Sequence, residues 1–276
     1  MSDTPLAGRT IAVPETRELD LFADLLGRRG ATVLRCPLVG IADAPQPGPV
    51  LDWIRRFNSG HHDELILQTG EGLRRLLSCI EKHEAALREP FVARLAQVRK
   101  IIRGPKPARV LRDLDLKPDL SGDEPTTAGV IETLRREKLS GHRVGVQLYG
   151  VDPNVALTDF LREAGASVDP VAPYIYVPAA SDTEVVALIE RMAAGFVDAI
   201  AFTSKAQVER LFEVAASTTG VPKLLEALHR AQVAAVGPVV RDVLVAKGVE
   251  GALMPEQSWF LKPLASLLGE ELGPRS

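Results

Sequence analysis

Short apolar runs alternate with amphipathic segments along most of the chain. The runs LIL at 65–67 and AIAF at 199–202 have the length of buried strands. A polar turn follows each run, and then apolar residues recur at the 0, 3, 4 and 7 spacing of one helix face. These residues are Leu73, Leu76, Leu77 and Ile80 in the first case and Val208, Leu211, Phe212 and Ala215 in the second. Strands that alternate with helices predict an α/β fold with parallel sheets covered on both faces.

The pattern occurs twice. The segment from Arg9 (RTIAVPETRELDLFADLLGRRGATVLRCPLVGI) has the same order of strand, turn, helix, glycine, strand and proline as the segment from His142 (HRVGVQLYGVDPNVALTDFLREAGASVDPVAPYIY). Five landmarks repeat at an offset of 133–136 residues: Ile11 and Val144, Gly30 and Gly165, Pro37 and Pro173, Thr69 and Thr203, and Gly104 and Gly237. This offset predicts two similar halves of β-α-β-β-α-β-α type. The alternative is a chance likeness between α/β segments.

Segments that contain proline and glycine separate these elements. Residues 37–49 and 171–182 are interpreted as linkers, and residues 115–141 as a loop, a helix and a second loop. Thr126 or Thr127 is a candidate N-cap of that helix, because a threonine hydroxyl accepts a hydrogen bond from an unpaired helical N–H group. Residues 255–272 are predicted to form a loop and a final helix.

The turns that follow the predicted strands carry small, polar or basic residues. In open α/β sheets, ligands bind at the carboxyl ends of the strands, where unpaired N–H groups and helix dipoles favour anions. The predicted ligand-binding residues are Arg17, Thr69, Gly70, Arg103, Gly104, Lys106, Tyr149, Thr203, Ser204, Gly237 and Pro238. Cations exceed anions near these turns, so we expect a small polyanion in a cleft between two similar lobes.

These residues also have purely structural interpretations. Thr69 and Thr203 are suited to be helix N-caps, and a threonine can cap a helix and contact a ligand at once. Arg17 and Lys106 are equally consistent with solvated surface charges. The Gly-Pro pairs at 104–105 and 237–238 also fit the start of a helix, where the missing N–H group of proline would have no partner.

Composition and charge limit the class of protein. A chain of 276 residues is long enough for two domains. Its net charge of −3 gives no basic excess for a broad nucleic-acid surface, and no apolar run is long enough to span a membrane. Cys36 and Cys79 are the only cysteines, and the five histidines lack metal-ligand spacing. We therefore expect a cytoplasmic protein without a metal site, a nucleic-acid partner or a membrane partner.

The sequence lacks the motifs that mark common catalytic sites. It contains no G-x-G-x-x-G, no G-x-x-x-x-G-K-[ST] and no G-x-S-x-G. The sequence therefore gives no indication of a dinucleotide site, an ATP site or the nucleophile elbow of a hydrolase. No Cys/His arrangement suggests an activated thiol. An enzyme with this sequence is expected to act through positioning and electrostatics, without a covalent nucleophile.

Five short segments resemble the uroporphyrinogen-III synthase family: VPETR (13–17), VQLYG (146–150), VAPYIY (171–176), FTSKAQV (202–208) and GPVVRDVLVAKG (237–248). Each is short, so their order and spacing along nearly the whole chain carry the resemblance. The resemblance implies two flavodoxin-like lobes joined by a two-segment linker. Lobe 1 would comprise residues 1–36 and 178–276, lobe 2 residues 42–171, and the linker residues 37–41 and 172–177. Such lobes are expected to close over the substrate.

The resemblance also implies a reaction. The family cyclises hydroxymethylbilane, a linear tetrapyrrole with acetate and propionate arms, to uroporphyrinogen III. The last pyrrole ring is inverted, water is lost and no cofactor is needed. Tyr174 stands where the family has its candidate proton donor to the departing hydroxyl, and Tyr149 and Tyr176 are the alternatives. The resemblance further implies a monomeric lyase of porphyrin biosynthesis, in transient contact with the bilane-producing enzyme.

One position departs from the family. Val240 stands where the family has a threonine after Gly-Pro-x, so a hydroxyl donor is missing, and Lys205 and Arg241 are nearby cations able to compensate. The departure leaves open a non-catalytic tetrapyrrole- or anion-binding sensor of the same fold. A two-lobed sugar- or anion-binding protein is a third interpretation.

Overall fold

The computed structural model describes residues 4–150 and 152–275. Its strands are β1 (Thr10–Val13), β2 (Thr32–Arg35), β3 (Val39–Asp43), β4 (Glu64–Leu67), β5 (Arg99–Ile102), β6 (Leu120–Ser121), β7 (Arg143–Gln147), β8 (Ser167–Val171), β9 (Tyr174–Pro178), β10 (Ala199–Phe202) and β11 (Gln232–Ala235).

Helices connect most of these strands. They are α1 (Leu19–Gly27), α2 (Pro47–Asn58), α3 (Gly70–His83), α4 (Arg88–Gln97), α5 (Pro105–Arg112), α6 (Thr127–Leu134), α7 (Val155–Glu163), α8 (Asp182–Ala193), α9 (Lys205–Ser217), α10 (Val221–Arg230), α11 (Pro238–Ala246) and α12 (Leu261–Leu272). A short 3₁₀ helix at Ala85–Leu87 precedes α4. None of the helices in residues 4–150 and 152–275 has the length and apolar character needed to cross a membrane.

The chain divides into two compact units. Unit 1 comprises Met1–Gly40 and Val177–Ser276, and unit 2 comprises Ile41–Tyr176. The sheet of unit 1 has the strand order β11-β10-β1-β2, and the sheet of unit 2 has the order β6-β5-β4-β7-β8. Neighbouring strands are parallel throughout both sheets. This confirms the predicted α/β class with parallel sheets.

The two sheets are built alike, and their likeness follows the sequence repeat. When β5, β4, β7 and β8 are matched to β11, β10, β1 and β2, the two strand orders coincide. Each unit therefore combines part of the first repeat with part of the second. Unit 1 takes β1 and β2 from the first and β10 and β11 from the second, and unit 2 takes the complementary strands. β6 pairs with Ile101 of β5, and its counterpart in unit 1 is the single parallel bridge from Ala234 of β11 to Leu253. α6 packs against α7 as α12 packs against α1, so these two helices correspond as well.

The stretches interpreted as linkers each contain a strand. β3 and β9 pair with each other in a two-stranded sheet. The chain passes from one unit to the other within each of these strands. α2 begins at Pro47 and α8 at Asp182, so both stretches also include the start of a helix.

The central strands are apolar because helices cover them. β10 is buried at every position, as are Leu65, Ile66 and Leu67 of β4. The helices that follow these strands bury one face each, as their periodicity predicts. The buried residues on that face are Leu73, Leu76 and Ile80 of α3 and Val208, Leu211, Phe212 and Ala215 of α9. Burial of each of the larger side chains in this set, Ala215 excepted, contributes roughly 1.5–3 kcal/mol to stability.

Two local predictions are confirmed. Thr126 caps α6, and its Oγ1 accepts a hydrogen bond from the Gly129 N–H at 2.9 Å. α12 is the final helix that residues 255–272 predict. The two-residue strand β6 within residues 115–141 was not predicted, because so short a strand has no periodicity of its own.

Candidate functional site

The turns at the carboxyl edge of the unit 2 sheet bring together residues that are far apart in sequence. β4, β5, β7 and β8 are parallel members of one sheet, so the turns that follow them lie along one edge. This edge holds Thr69 after β4, Arg103 after β5, Tyr149 after β7 and Tyr174 after β8. All four are predicted site residues, and the strand order shows which of their turns are neighbours.

Thr69 is both a helix cap and the centre of a hydrogen-bond network. It is the N-cap of α3, and its Oγ1 accepts a hydrogen bond from the Gly72 N–H at 2.9 Å. The N–H of Thr69 donates to Gln147 Oε1 at 3.1 Å, and Thr69 Oγ1 lies 3.3 Å from the Tyr174 hydroxyl. One threonine therefore links the start of α3 to the end of β7 and the start of β9.

Gln147 organises the turn, although the sequence marks it only as part of the VQLYG segment (146–150). Its side chain is fully buried at the end of β7. Its Nε2 donates to the Leu148 carbonyl oxygen and lies 3.4 Å from Thr69 Oγ1. Gly72 leaves the room for this side chain, because a Cβ at position 72 would lie 1.9 Å from Gln147 Cδ. A glycine within the first turn of α3 is the only trace of the contact in the sequence.

Tyr174 is fully buried, whereas Tyr176 is 37% exposed. The two rings meet edge to face, with centroids 5.6 Å apart and an interplanar angle of 89°. Burial is the main cause that raises the pKa of Tyr174, and the neighbouring Tyr176 adds to it. Tyr174 is therefore a neutral phenol that donates or accepts a hydrogen bond with Thr69. The exposed ring of Tyr176 is the one that a ligand can reach.

Tyr174 is expected to stay protonated in the folded protein at about pH 11, above the ordinary phenol pKa of about 10. The pKa is raised on folding, so its contribution to stability is present below about pH 10 and is lost as the pH rises further. Tyr174→Phe should cost about 1 kcal/mol at neutral pH, the value of one hydrogen bond.

The measurement compares wild type with Tyr174→Phe by phenolate absorbance and by urea unfolding across alkaline pH. We expect equal phenolate absorbance at about pH 11 while both proteins are folded. We also expect the stability difference between them to shrink as the pH rises. A larger phenolate signal from folded wild type would contradict the buried, neutral assignment.

Arg103 lies over an aromatic ring at the same edge. Its guanidinium carbon is 5.0 Å from the centroid of the Tyr149 ring, a cation–π contact. Burial lowers the pKa of Arg103, and the phenols of Tyr149, Tyr174 and Tyr176 oppose that effect. The shift leaves the guanidinium charged, since arginine titrates far above neutral pH. A half-buried cation beside an aromatic ring is a ready partner for a carboxylate.

The remaining predicted residues of unit 2 lie at the starts of two helices. Gly70 is the buried first residue of α3, and Lys106 is exposed in the first turn of α5. Gly104 is the N-cap of α5, where a Cβ would lie 2.8 Å from Pro125 Cβ. A packing contact therefore accounts for this glycine without a ligand.

The corresponding edge of unit 1 carries Thr203 and Ser204 after β10. Ser204 is the N-cap of α9, and Gln207 Oε1 accepts hydrogen bonds from the N–H groups of Thr203 at 2.8 Å and Ser204 at 3.3 Å. The Thr203 hydroxyl donates to the carboxylate of Glu15, which follows β1. Glu15 was not predicted as a site residue, although it lies in the VPETR segment (13–17) and follows the buried strand and Pro14 directly.

Three further predicted positions also lie in unit 1. Arg17 is exposed in the turn after β1. Gly237 is the N-cap of α11 and Pro238 its first residue, and a Cβ at 237 would lie 2.9 Å from Cγ of Trp259. The indole therefore packs on this helix start. Val240 is buried in the same helix, in the place of the family's threonine.

Neither a metal cluster nor an activated thiol is found in the described residues. No three His, Cys, Asp or Glu side chains there converge on a point that could hold a metal ion. Burial raises the pKa of Cys36 to about 11, and burial also raises the pKa of Cys79. Both sulfurs are thiols at neutral pH and therefore poor nucleophiles. The chemistry available at the two edges is hydrogen bonding, positive charge and aromatic surface.

Comparison with known proteins identifies the family. The model of the family described as uroporphyrinogen-III synthase HemD matches residues 20–259. The uncharacterized protein YjjA of Bacillus subtilis (strain 168) is 33% identical over 254 residues, which cover 91% of this chain and 92% of that one.

Solved structures agree with the family match. A crystal structure of a mutant uroporphyrinogen III synthase from the extremely thermophilic bacterium Thermus thermophilus is 30% identical and covers 95% of this chain and 97% of that one, with a TM-score of 0.72. The uroporphyrinogen-III synthetase of Helicobacter pylori 26695 shares the fold at 15% identity and a TM-score of 0.55, over 94% of this chain and 97% of that one. The chain belongs to the uroporphyrinogen-III synthase family.

Proposed function

We propose that the protein converts hydroxymethylbilane to uroporphyrinogen III, with inversion of the last pyrrole ring, loss of water and no cofactor. Family membership supports the reaction class. The observation that carries the proposal is the Arg103 guanidinium on the Tyr149 ring, at the sheet edge where α3 and α5 begin. A cation beside two helix N-termini suits a substrate with several carboxylate arms.

In the proposed reaction the leaving hydroxyl departs as water and leaves a cationic azafulvene. Attack of the substituted carbon of the last pyrrole on this cation then gives a spiro intermediate. Cleavage of that carbon's original bond to its neighbouring methylene forms a second azafulvene cation, and closure on the free carbon of the last ring, with loss of its proton, leaves that ring inverted. Arg103, the Thr69 turn and the α5 start are proposed to hold the carboxylate arms, so that positioning supplies much of the rate. Tyr174 as proton donor stays a prediction, and its burial favours the exposed Tyr176 for direct contact with the leaving group.

The test is the full-length recombinant protein in an assay coupled to a bilane-generating enzyme. The products are oxidised to porphyrins, and isomers I and III are separated by chromatography. We expect isomer III to exceed isomer I, and the excess to grow with the concentration of the protein. Isomer I alone, as the bilane forms without a catalyst, would contradict the proposed function.

A non-catalytic tetrapyrrole-binding protein is the second candidate, and one observation favours it. Val240 is 3% exposed, so the missing threonine hydroxyl at the α11 start is replaced by a core methyl group. The same assay separates the two candidates when it is combined with calorimetry on the product. Tight binding of uroporphyrinogen III with no excess of isomer III would support the binding protein over the enzyme.

A further inference from the structure

A carboxylate lies inside the turn that follows β1. Glu15 is 9% exposed, and its Oε1 accepts hydrogen bonds from the N–H groups of Thr16 and Arg17, both at 3.0 Å. The N–H of Glu18 lies 3.5 Å from the same oxygen. Glu18 is the N-cap of α1, but its side chain makes no capping bond. The N–H groups that lead into α1 are therefore paired with a built-in anion.

The other carboxylate oxygen ties Glu15 to the turn after β10. Gln207 Oε1 is occupied by the N–H groups of Thr203 and Ser204, which turns its Nε2 towards Thr203 Oγ1 at 2.8 Å. Since Thr203 Oγ1 accepts that bond, its own hydrogen points to Glu15 Oε2. Gln207 Nε2 also lies 3.4 Å from this oxygen. One carboxylate thus holds two turns.

Glu15 is ionised at neutral pH. Burial alone would raise its pKa, but the hydrogen bonds from the Thr203 hydroxyl and from the N–H groups of Thr16 and Glu18 act in the opposite direction. The charge of Arg17 adds to these bonds, and together they hold the pKa of Glu15 below its ordinary value. The negative charge is therefore stabilised by hydrogen bonds inside the turn.

In both units a neutral glutamine accepts the N–H of the threonine after the strand: Gln207 for Thr203 and Gln147 for Thr69. Holding a threonine before a helix therefore does not require a carboxylate. The extra bonds of Glu15 go to the main chain of the turn after β1, which indicates a role in fixing that turn relative to Thr203.

We propose that Glu15 is a positioning residue for the proposed reaction: its carboxylate fixes the Thr16–Arg17 main chain and the Thr203–Ser204 turn in one arrangement. In this role it acts through these turns and not on the reacting atoms. The link to turnover rests on the proposed function. The anion-holding character of the turn does not, and the two are tested separately.

The first test uses Glu15→Ala and formate. The substitution removes the carboxylate and leaves its N–H and hydroxyl donors around a small space, which formate is the smallest carboxylate able to fill. We expect sodium formate to raise the melting temperature of Glu15→Ala more than sodium chloride of equal ionic strength does. Wild type and the matched control Glu18→Ala, an exposed glutamate three residues on, should respond equally to both salts. The same response from all three proteins would overturn the anion-holding role.

The second test is the coupled assay with the same variants. We expect kcat/KM of Glu15→Ala to fall by about 10- to 100-fold, the range expected when binding groups are slightly misplaced, and formate to restore part of it. Glu15→Gln fills the space without a charge, so it should show the loss without rescue. Glu15→Gln also provides the test of the loss in kcat/KM if Glu15→Ala does not fold.

The kinetic outcomes separate the two proposals. Wild-type kcat/KM in Glu15→Ala or Glu15→Gln would overturn the positioning role. So would a formate-stabilised Glu15→Ala whose activity formate does not restore. An inactive wild type would contradict only the proposed function. The melting temperatures with and without formate would still test whether the turn around Glu15 holds an anion.

Discussion

Gly72→Ala is expected to destabilise the protein by about 2–6 kcal/mol, the sum of an overpacked contact and a displaced buried amide. A Cβ at position 72 would lie 1.9 Å from Gln147 Cδ and Nε2, closer than atoms can approach. Gln147 is fully buried, so it has no solvent to move into. Its displacement leaves the N–H of Thr69 without the acceptor that it has at 3.1 Å.

Urea denaturation gives the change in the free energy of unfolding. Gly27→Ala is the matched control, because Gly27 is the last residue of α1 and a Cβ there meets no atom within 4 Å. Alanine favours helices by up to about 1 kcal/mol over glycine, so Gly27→Ala should be neutral or stabilising. Similar unfolding curves for the two variants would show that Gln147 moves aside freely.

The same substitution is expected to affect the site. Thr69 is held by Gln147 and Gly72 and contacts Tyr174, so a shifted Gln147 changes the start of α3 where the carboxylate arms are proposed to bind. A folded Gly72→Ala should therefore lose kcat/KM in the coupled assay at temperatures well below its melting point.

Much of the fold could be predicted from the periodicity of the sequence. The 0, 3, 4 and 7 spacing identifies the buried faces of α3 and α9, and the constant offset identifies equivalent strands. The pattern alone does not show that β1 joins the sheet of β10, because a tandem arrangement would have the same local pattern. The family resemblance implies that the N-terminal strands join the C-terminal part of the chain in one sheet. The pairing of Ile11 in β1 with Ala199 in β10 shows this arrangement.

The parts of the site that could not be predicted depend on contacts across the sheet. Thr69 and Thr203 are recognisable because a threonine before a helix has a local signature. Gln147 lies 78 residues from Thr69, and Glu15 lies 188 residues from Thr203. Both belong to segments that resemble the family, but those segments do not show which turn each side chain binds. Their roles follow from strand order, which places the ends of β7 and β4, or β1 and β10, side by side.

Arg103→Gln is expected to lower kcat/KM for the bilane by about 10- to 100-fold, mainly through KM, because a hydrogen bond to a charged group contributes about 1.5–3 kcal/mol. The guanidinium carbon lies 5.0 Å from the Tyr149 ring centroid, and the planar guanidinium fork suits bidentate contact with a carboxylate. Arg103→Lys keeps the charge but not the planar fork, so it should fall between wild type and Arg103→Gln.

Tyr149→Leu tests the ring beneath the guanidinium, since leucine keeps an apolar side chain but removes the π-face. If the ring acts through Arg103, the double variant Arg103→Gln/Tyr149→Leu should have the same kcat/KM as Arg103→Gln alone, because interacting residues give non-additive losses. Arg109→Gln is the matched control, an exposed arginine in the last turn of α5. Equal KM values for Arg103→Gln and Arg109→Gln would show that substrate binding depends on the total positive charge near α5 and not on a specific contact of Arg103. Carboxylate recognition would then have to rest on the main-chain N–H groups of the turns.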